Sequence, residues 1–166
     1  TVHGNNTLTN TTRNGLIALE IGKINVPLAM GAVEPLVQPS VGIASGHGKS
    51  GLDGHDFPDP KIKPIDQHAV DFIIETARQH QGELVLATIG PETNLALAIK
   101  REPRLRQWIR EITIMGGSTT TGNFSPAAEF NIAADIEAAS VVFESGIPFR
   151  MVGYNITRQT ISDHPD

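Results

Sequence analysis

Short apolar runs alternate with helical patterns along this chain, and that alternation constrains the fold more than any other feature. The run Ile112-Thr113-Ile114-Met115 is typical of a buried strand. The stretch 67–80 instead repeats apolar residues at helical spacing and predicts an amphipathic helix. Such alternation indicates an α/β fold, with a mostly parallel sheet and helices on both faces. Asp135 is the expected N-cap of the last predicted helix. The predicted strands are 26–29, 84–87, 112–115 and 149–152, and the predicted helices are 9–21, 67–80, 92–100 and 136–145.

The length and the two ends of the chain bear on its domain organisation. The 166 residues suit a single domain of ordinary size. Thr1-Val2-His3-Gly4 lacks an initiator methionine and is typical of a strand end that enters a turn, while residues 162–166 are typical of a loop. We therefore expect the single domain 1–166 to be an internal portion of a larger domain.

Composition argues against several classes of function. The net charge of −5 argues against a basic nucleic-acid surface, and the charged stretch 101–110 predicts a solvated short helix. The chain has no cysteine, which excludes a disulfide framework and is compatible with a cytoplasmic protein. No apolar run approaches the roughly 18 residues of a transmembrane helix, and no stretch has the pattern of a signal peptide. We expect neither a nucleic-acid nor a membrane partner.

A polar segment follows the central predicted strand and holds the strongest candidates for a binding site. Gly116-Gly117 breaks the strand and lets the backbone approach a ligand closely. Asn123, Glu129 and Asn131 follow, and their amide and carboxylate groups suit the adjacent hydroxyls of a sugar. Open α/β sheets bind ligands beyond the carboxyl ends of their strands, so this position favours a site. The alternative is an ordinary loop of solvated polar residues.

The long connection 31–64 is rich in glycine and proline, and loops of this length are often lids or binding loops. It contains GHGKSG at 46–51, which matches a dinucleotide-binding pattern literally, but no helix follows as that motif requires. It is not a P-loop either, because Ile43 replaces the first glycine of that motif. His47 and Asn5 are candidates for ligand contacts. Alternatively, they are a solvated histidine and a turn-forming asparagine.

Several segments resemble one family, the inosine/uridine-preferring nucleoside hydrolases. The central segment carries the resemblance with MGG at 115–117, GN at 122–123 and SPAAEFNIAAD at 125–135. The resemblance extends over residues 1–160 and implies an α/β, Rossmann-like fold. It also implies hydrolysis of the N-glycosidic bond of ribonucleosides to ribose and free base. Further matching segments are GNNTLTNTTRN at 4–14, HGKSGLDG at 47–54 and ATIGPETNLALA at 87–98.

The resemblance also implies roles for individual residues. It implies that calcium holds the ribose hydroxyls and the attacking water, with the backbone carbonyl of Ile89 as one ligand. A carbonyl oxygen suits calcium, which takes roughly six to eight oxygen ligands. Arg158 stands where the family often has a histidine, and an arginine cannot donate a proton near neutral pH. The implied substrate-binding residues are Asn5, His47, Met115, Asn123, Glu129 and Asn131.

The catalytic residues that the resemblance calls for are expected outside this chain. An aspartate-rich motif with the general base and most calcium ligands would precede Thr1. A late aspartate ligand and a leaving-group histidine would follow Asp166. We therefore expect hydrolysis from the full-length protein and no turnover from residues 1–166 alone. A non-catalytic nucleoside- or sugar-binding module, a degenerate paralogue and a scaffold subunit are the alternatives. The family tendency to form dimers and tetramers predicts a homo-oligomer that acts on small ribonucleosides in purine and pyrimidine salvage.

Overall fold

The computed structural model describes residues 1–160, and its centre is a three-stranded parallel sheet. β2 (Ile109–Met115) lies between β1 (Leu84–Thr88) and β3 (Phe149–Val152) and runs parallel to both. The parallel strands confirm the predicted α/β architecture. The loop predicted at 162–166 lies outside the described residues. The helices are α1 (Leu8–Ile21), α2 (Ala69–Gln79), α3 (Thr93–Arg101), α4 (Leu105–Trp108), α5 (Phe130–Ala133), α6 (Ile136–Phe143) and α7 (Tyr154–Thr157), with a 3-10 turn at Ser45–His47.

The hydrophobic core lies between one face of the sheet and the helices α2, α3 and α6. Ile112 and Ile114 alternate along β2, so both point to this face, and both are fully buried. Ala96 of α3 and Val142 of α6 are fully buried in the same cluster. Each buried isoleucine contributes about 1.5–3 kcal/mol to folding, so this layer carries much of the stability.

The opposite face of the sheet is open in the part of the chain that the structure describes. Val85 of β1 is 50% exposed, and every residue of β3 is exposed. An ion pair between Arg150 and Glu111, with 3.0 Å between Nε and Oε1, crosses this face. The strand predicted as buried at 84–87 is therefore an edge strand with one covered face. The helices predicted for both faces cover one face of these strands.

Two strand predictions near the N-terminus are wrong. The segment 26–29 forms only an isolated parallel bridge at Ala29, because Pro27 lacks the N–H group that a regular ladder needs. The strand end predicted at residues 1–4 is absent as well. Its backbone is held by separate contacts instead, such as the bond from the Thr1 ammonium group to the Ala29 carbonyl at 2.7 Å.

The longer helices α1, α2, α3 and α6 follow the predicted ranges to within two residues. The short helices α5 and α7 were not predicted, and the short helix predicted in 101–110 is limited to α4 because β2 begins at Ile109. α1 ends at Ile21 as predicted, and Asp135 caps α6 by accepting a hydrogen bond from the Ala138 N–H at 3.0 Å. The segment predicted as loop up to Asp135, however, becomes helical at Phe130. Glu129 causes this early start, because its carboxylate caps the first N–H groups of α5. Within residues 1–160, no helix is long and apolar enough to cross a membrane.

Candidate active site

An open cavity of ≈ 930 Å³ lies beyond the carboxyl ends of the strands. Ile89 follows β1, Met115 ends β2 and Tyr154 follows β3, and all line the cavity. Open α/β sheets bind ligands at this edge, so the cavity is the candidate active site. The structure brings all the predicted site residues into its wall: Asn5, His47, Ile89, Met115, Asn123, Glu129 and Asn131.

Glu129 lies buried in this wall, 3% exposed, and backbone N–H groups hold its carboxylate. Oε1 accepts a hydrogen bond from the Asn131 N–H at 3.0 Å. Oε2 accepts from the Gly117 N–H at 3.0 Å and from the Ile132 N–H at 3.2 Å. These bonds cap α5 and join it to the glycine turn after β2. A carboxylate has about four acceptor positions, so about one remains for a ligand hydroxyl.

Asn131 connects the ends of β1 and β2 through its buried amide. Nδ2 donates to the Met115 carbonyl at 3.0 Å and to the Ile89 carbonyl at 3.4 Å. Oδ1 accepts from Nδ2 of Asn5 at 3.1 Å, which leaves a second lone pair on this oxygen. One amide hydrogen and the side-chain oxygen of Asn5 remain available to a ligand. The pair therefore offers donors and acceptors side by side, as two adjacent hydroxyls require. We call Asn5, Ile89, Met115, Glu129 and Asn131 the strand-end wall.

The other side of the cavity consists of exposed loop residues. Oδ1 of Asn123 accepts from the Phe130 N–H at 2.8 Å, so its amide nitrogen is the group available to a ligand. Phe124 packs edge-on against Phe130, with 5.9 Å between the ring centroids. His47 and Arg158 are exposed and line the same side. We call His47, Asn123, Phe124 and Arg158 the loop wall.

Sequence reasoning missed several residues that line the cavity. Tyr154 follows β3 as Ile89 follows β1, so the strand-end rule could have found it. Phe124 carried no such signal, because single aromatic residues in loops are common. Asn155, next to Tyr154, turns towards another loop, and its Oδ1 accepts from the Thr119 N–H at 3.3 Å. The missed lining side chains are Asn6, Thr11, Asn14, Val41, Ile43, Ala44, Phe124, Phe130, Tyr154, Thr157 and Arg158.

A buried relay of side chains lies behind the strand-end wall. Thr93 Oγ1 donates to Oδ2 of Asp135 at 2.6 Å and lies 2.9 Å from Nε2 of His3. The Thr93 hydroxyl has one hydrogen, so it accepts from His3, whose Nε2 carries the proton. Burial lowers the pKa of His3, and the carboxylates of Asp135 and Glu34 oppose that shift. The relay ties the residues before Asn5 to the start of α6.

Glu92 also carries a buried carboxyl group, and it has fewer hydrogen-bond partners than Glu129. It is 1% exposed at the start of α3, and its Oε1 accepts from the Thr88 hydroxyl at 2.6 Å. Its Oε2 has no hydrogen-bond partner within residues 1–160. Burial raises the pKa of Glu92 to about 7, against the smaller opposing effect of the Thr88 hydrogen bond. The carboxyl groups of Glu92 and Glu129 therefore differ in how well backbone N–H groups compensate their burial.

The described residues do not by themselves form a calcium site. Ile89 lines the cavity, but its carbonyl oxygen already accepts the long hydrogen bond from Asn131. No group of three or more histidine, aspartate or glutamate side chains in residues 1–160 is placed to hold a metal ion. Calcium takes roughly six to eight oxygen ligands. These residues therefore provide at most a part of such a site.

Solved structures with the same fold define the class of protein. The chain matches a purine-preferring ribonucleoside hydrolase from Gardnerella vaginalis with a TM-score of 0.90 and 33% identity, over 97% of this chain and 53% of that one. It matches a plant nucleoside hydrolase with a TM-score of 0.88 and 36% identity, over 94% of this chain and 50% of that one. Both are nucleoside hydrolases, so the fold and the cavity place this chain in that class.

The sequence profile of one family extends over the whole chain. The profile of the inosine-uridine preferring nucleoside hydrolases matches residues 1–166, and the chain belongs to this family. A curated relative, the pyrimidine-specific ribonucleoside hydrolase RihB of Escherichia coli O1:K1, is 43% identical over 160 residues. That match covers 96% of this chain and 51% of the relative, so the chain spans about half the length of the curated relatives it matches.

Proposed function

We propose that the full-length protein hydrolyses the N-glycosidic bond of ribonucleosides, releasing ribose and free base, and that this chain forms the ribose side of the site. One observation carries the proposal: the polar groups of Asn5, Glu129 and Asn131 converge in a single cavity at the strand ends. Membership of the family supports the same reaction. The similar proteins are named for both purine and pyrimidine preferences, so both kinds of base enter the test.

Each polar group of the strand-end wall has a task in this proposal. Oδ1 of Asn131 accepts a hydrogen bond from one ribose hydroxyl, and the Asn5 amide binds the neighbouring hydroxyl. The remaining acceptor position of Glu129 takes a third hydroxyl, with Asn123 beside it and Met115 packing against the sugar. His47 lies on the loop wall, where it would contact the base or ribose. Hydrogen bonds hold the polar groups of the strand-end wall before a ligand arrives, so little ordering of these groups is needed on binding.

The reaction itself breaks the bond between C1′ and the base nitrogen while a water oxygen bonds to C1′. The water gives up a proton, and the base nitrogen leaves with a proton. Positive charge develops on the sugar ring as the bond breaks. The carboxylate of Glu129 sits in a fixed position beside the sugar, so it stabilises that charge electrostatically. Arg158 is a permanent cation and does not protonate the leaving base.

We also propose that the full-length protein uses calcium, with the Ile89 carbonyl as the one ligand from this chain. A bound metal ion lowers the pKa of its water, which is the chemistry that this reaction needs. The remaining ligands and the general base are expected outside residues 1–166. The family resemblance further supports a cytoplasmic homo-oligomer that acts in nucleoside salvage.

A second candidate function is binding of a nucleoside or sugar without turnover. Residues 1–160 bring together the polar groups proposed to bind a sugar, but the described residues contain no group of three or more metal-ligating side chains. A degenerate paralogue would show this combination along its full length. The full-length protein and the isolated chain therefore need to be compared.

The test is ribose release from inosine and uridine, with calcium and then with a chelator, alongside binding by calorimetry. We expect calcium-dependent release by the full-length protein and none by residues 1–166 alone. Binding by the full-length protein without release in either condition would replace hydrolysis by the binding function. Release by residues 1–166 alone would show that this chain holds the catalytic residues assigned to other segments.

A further inference from the structure

Three asparagines near the start of α1 face the loop that carries His47. Asn6, Asn10 and Asn14 are four residues apart, the spacing of neighbours on one helix face. All three donate amide hydrogens to backbone carbonyls of the segment 48–50. The shortest contact of each measures 3.2 Å for Asn6, 3.4 Å for Asn10 and 2.8 Å for Asn14. Asn6 reaches the carbonyls of Gly48 and Lys49, Asn10 reaches that of Lys49 and Asn14 reaches that of Ser50. Asn6 and one side of α1 thus support three successive carbonyls of the loop.

Hydrogen bonds to its side-chain oxygen determine which way the Asn6 amide points. Oδ1 of Asn6 accepts from the Thr7 N–H and from Nδ2 of Asn10, each at 2.9 Å. With its oxygen occupied in this way, Asn6 must direct Nδ2 at the loop. Asn6 is 2% exposed, and an unpaired amide at such a position would be strongly unfavourable. The Asn6 donor therefore faces the loop as a matter of hydrogen-bond satisfaction. Asn10 divides its donors between Asn6 and the Lys49 carbonyl. Asn14 directs Nδ2 at the Ser50 carbonyl, while its Oδ1 has no partner within residues 1–160.

The same loop segment is held from its other side by Asp53. Its carboxylate accepts from the N–H groups of Lys49 and Ser50, each at 2.9 Å. Gly51 has φ +77, and a Cβ there would lie 3.1 Å from Nδ2 of Asn14, so glycine lets the asparagine approach. The carbonyls of segment 48–50 are thus paired with the asparagines, and its N–H groups are paired with Asp53. This pairing anchors the part of the loop that directly follows His47.

We propose that Asn6, Asn10 and Asn14 form an amide ladder that docks the segment 48–50 on α1 and thereby positions His47 at the cavity. The side chain of His47 makes no hydrogen bond within residues 1–160. Its position therefore depends on the docked segment 48–50, which begins at the next residue. The three asparagines are positioning residues for the nucleoside contact of His47. This inference rests on the proposed function.

Hydrogen exchange tests the ladder without relying on activity. In the full-length protein, Asn10→Ala and Asn14→Ala each remove one rung, and Thr9→Ala is the matched control on the exposed side of α1. We expect backbone amides of residues 46–54 to exchange about fivefold faster in both asparagine variants, since one ordinary hydrogen bond has this effect. The thermal midpoint should not fall, because alanine is the better helix former. Unchanged exchange in both asparagine variants, or the same acceleration in Thr9→Ala, would overturn the ladder.

A double-mutant cycle tests whether the ladder acts through His47. Asn10 is the suitable partner because, unlike Asn6 and Asn14, it does not line the cavity. We expect Asn10→Ala to weaken binding of inosine or uridine about fivefold by calorimetry, and to add nothing in a His47→Ala background. An equal loss in both backgrounds would overturn the role of Asn10 in positioning His47. If neither nucleoside binds the unaltered protein, the proposed function is wrong. The hydrogen-exchange result would still show whether the amide ladder holds the segment 48–50.

Discussion

The two walls of the cavity are built in opposite ways. The strand-end wall has Ile89 and Met115 at strand ends, and its Glu129 and Asn131 are buried and paired with backbone groups. The loop wall consists of exposed side chains with few contacts, such as His47 and Asn123. Buried polar groups must be paired to be tolerated, whereas exposed ones are satisfied by water.

The difference separates two tasks within one site. Changes in the strand-end wall affect both stability and ligand binding, because the same hydrogen bonds serve both. Changes in the loop wall affect ligand binding with little loss of stability. The ribose contacts proposed for Asn5, Glu129 and Asn131 therefore fall on the wall where substitutions reduce stability. The loop wall, which holds the contact proposed for His47, tolerates substitution with less loss of stability.

The largest expected effect comes from Glu129→Ala. The variant leaves the N–H groups of Gly117, Asn131 and Ile132 without an acceptor, so we expect a loss of about 4 kcal/mol in the free energy of unfolding. Urea unfolding measures this loss, and Glu83→Ala, at an exposed glutamate, is the matched control. We also expect the variant to lose nucleoside binding, because the same carboxylate is proposed to contact the ribose. A loss similar to that of the control would show that the buried carboxylate does not organise the strand-end wall.

Glu92 allows a comparison within the buried part of the molecule, because its carboxyl group lacks the backbone partners of Glu129. Its folded pKa of about 7 lies above the ordinary 4.5, so the folded state binds a proton more tightly than the unfolded state. The resulting stability is present below about pH 4.5 and is lost as the pH rises to about 7, with a change of about 3 kcal/mol. Urea unfolding from pH 5 to 8 measures this slope, which Glu92→Gln should remove.

His3 changes the free energy of unfolding with pH in the opposite direction to Glu92. Burial lowers its pKa, so its unfavourable protonation destabilises the folded state as the pH falls below about 6.5. The difference between the unaltered protein and Glu92→Gln cancels this term, because His3 is present in both. If that difference does not change with pH, the pKa of Glu92 is not raised in the folded protein.

A paired substitution of two asparagines compares the walls directly. Asn131→Ala leaves the Met115 carbonyl and the Asn5 amide unpaired, so we expect a loss of about 2 kcal/mol in stability. Asn123→Ala at the loop wall should reduce stability by less than about 1 kcal/mol and still weaken nucleoside binding. Thermal unfolding and calorimetry on both variants provide the measurement. Equal losses of stability would remove the distinction between the walls.

The smallest effect on stability is expected for His47→Ala. The side chain is exposed and unpaired within the described residues, so the change in free energy of unfolding should stay within about 0.5 kcal/mol. The affinity for a nucleoside should fall nevertheless, as calorimetry with inosine and uridine will measure. Thr9→Ala serves again as an exposed control. Unchanged affinity for both nucleosides would remove His47 from the loop wall as a functional residue.

Most helices and the parallel sheet could be predicted from the sequence, because apolar spacing is a local signal. The strand at 26–29 could not be excluded in this way. Its apolar composition favours a strand, but Pro27 and the lack of a partner along its length reduce it to one bridge at Ala29. The exposure of one face of β1 could not be predicted either, because an apolar run does not indicate whether one or both faces of a strand are buried.

The candidate site residues could be predicted from strand ends and from the family motifs, and the structure places them in one cavity. The hydrogen-bond partners of these residues could not be predicted from the sequence. The contact between Asn5 and Asn131 joins residues 126 positions apart, and Glu129 reads as a loop residue until it is seen to cap α5. Glu92 and the relay from His3 carried no signal in the sequence, since both depend on burial.

The sequence alone determined the alternation of strands and helices, the family and the identity of the polar groups near the strand ends. These follow from side-chain spacing and short motifs, which act over a few residues. The tertiary structure decided which polar groups are buried, which amide points where and which sheet face is open. Those outcomes depend on the free energy of pairing groups from distant segments, which exists only when the folded chain brings the segments together.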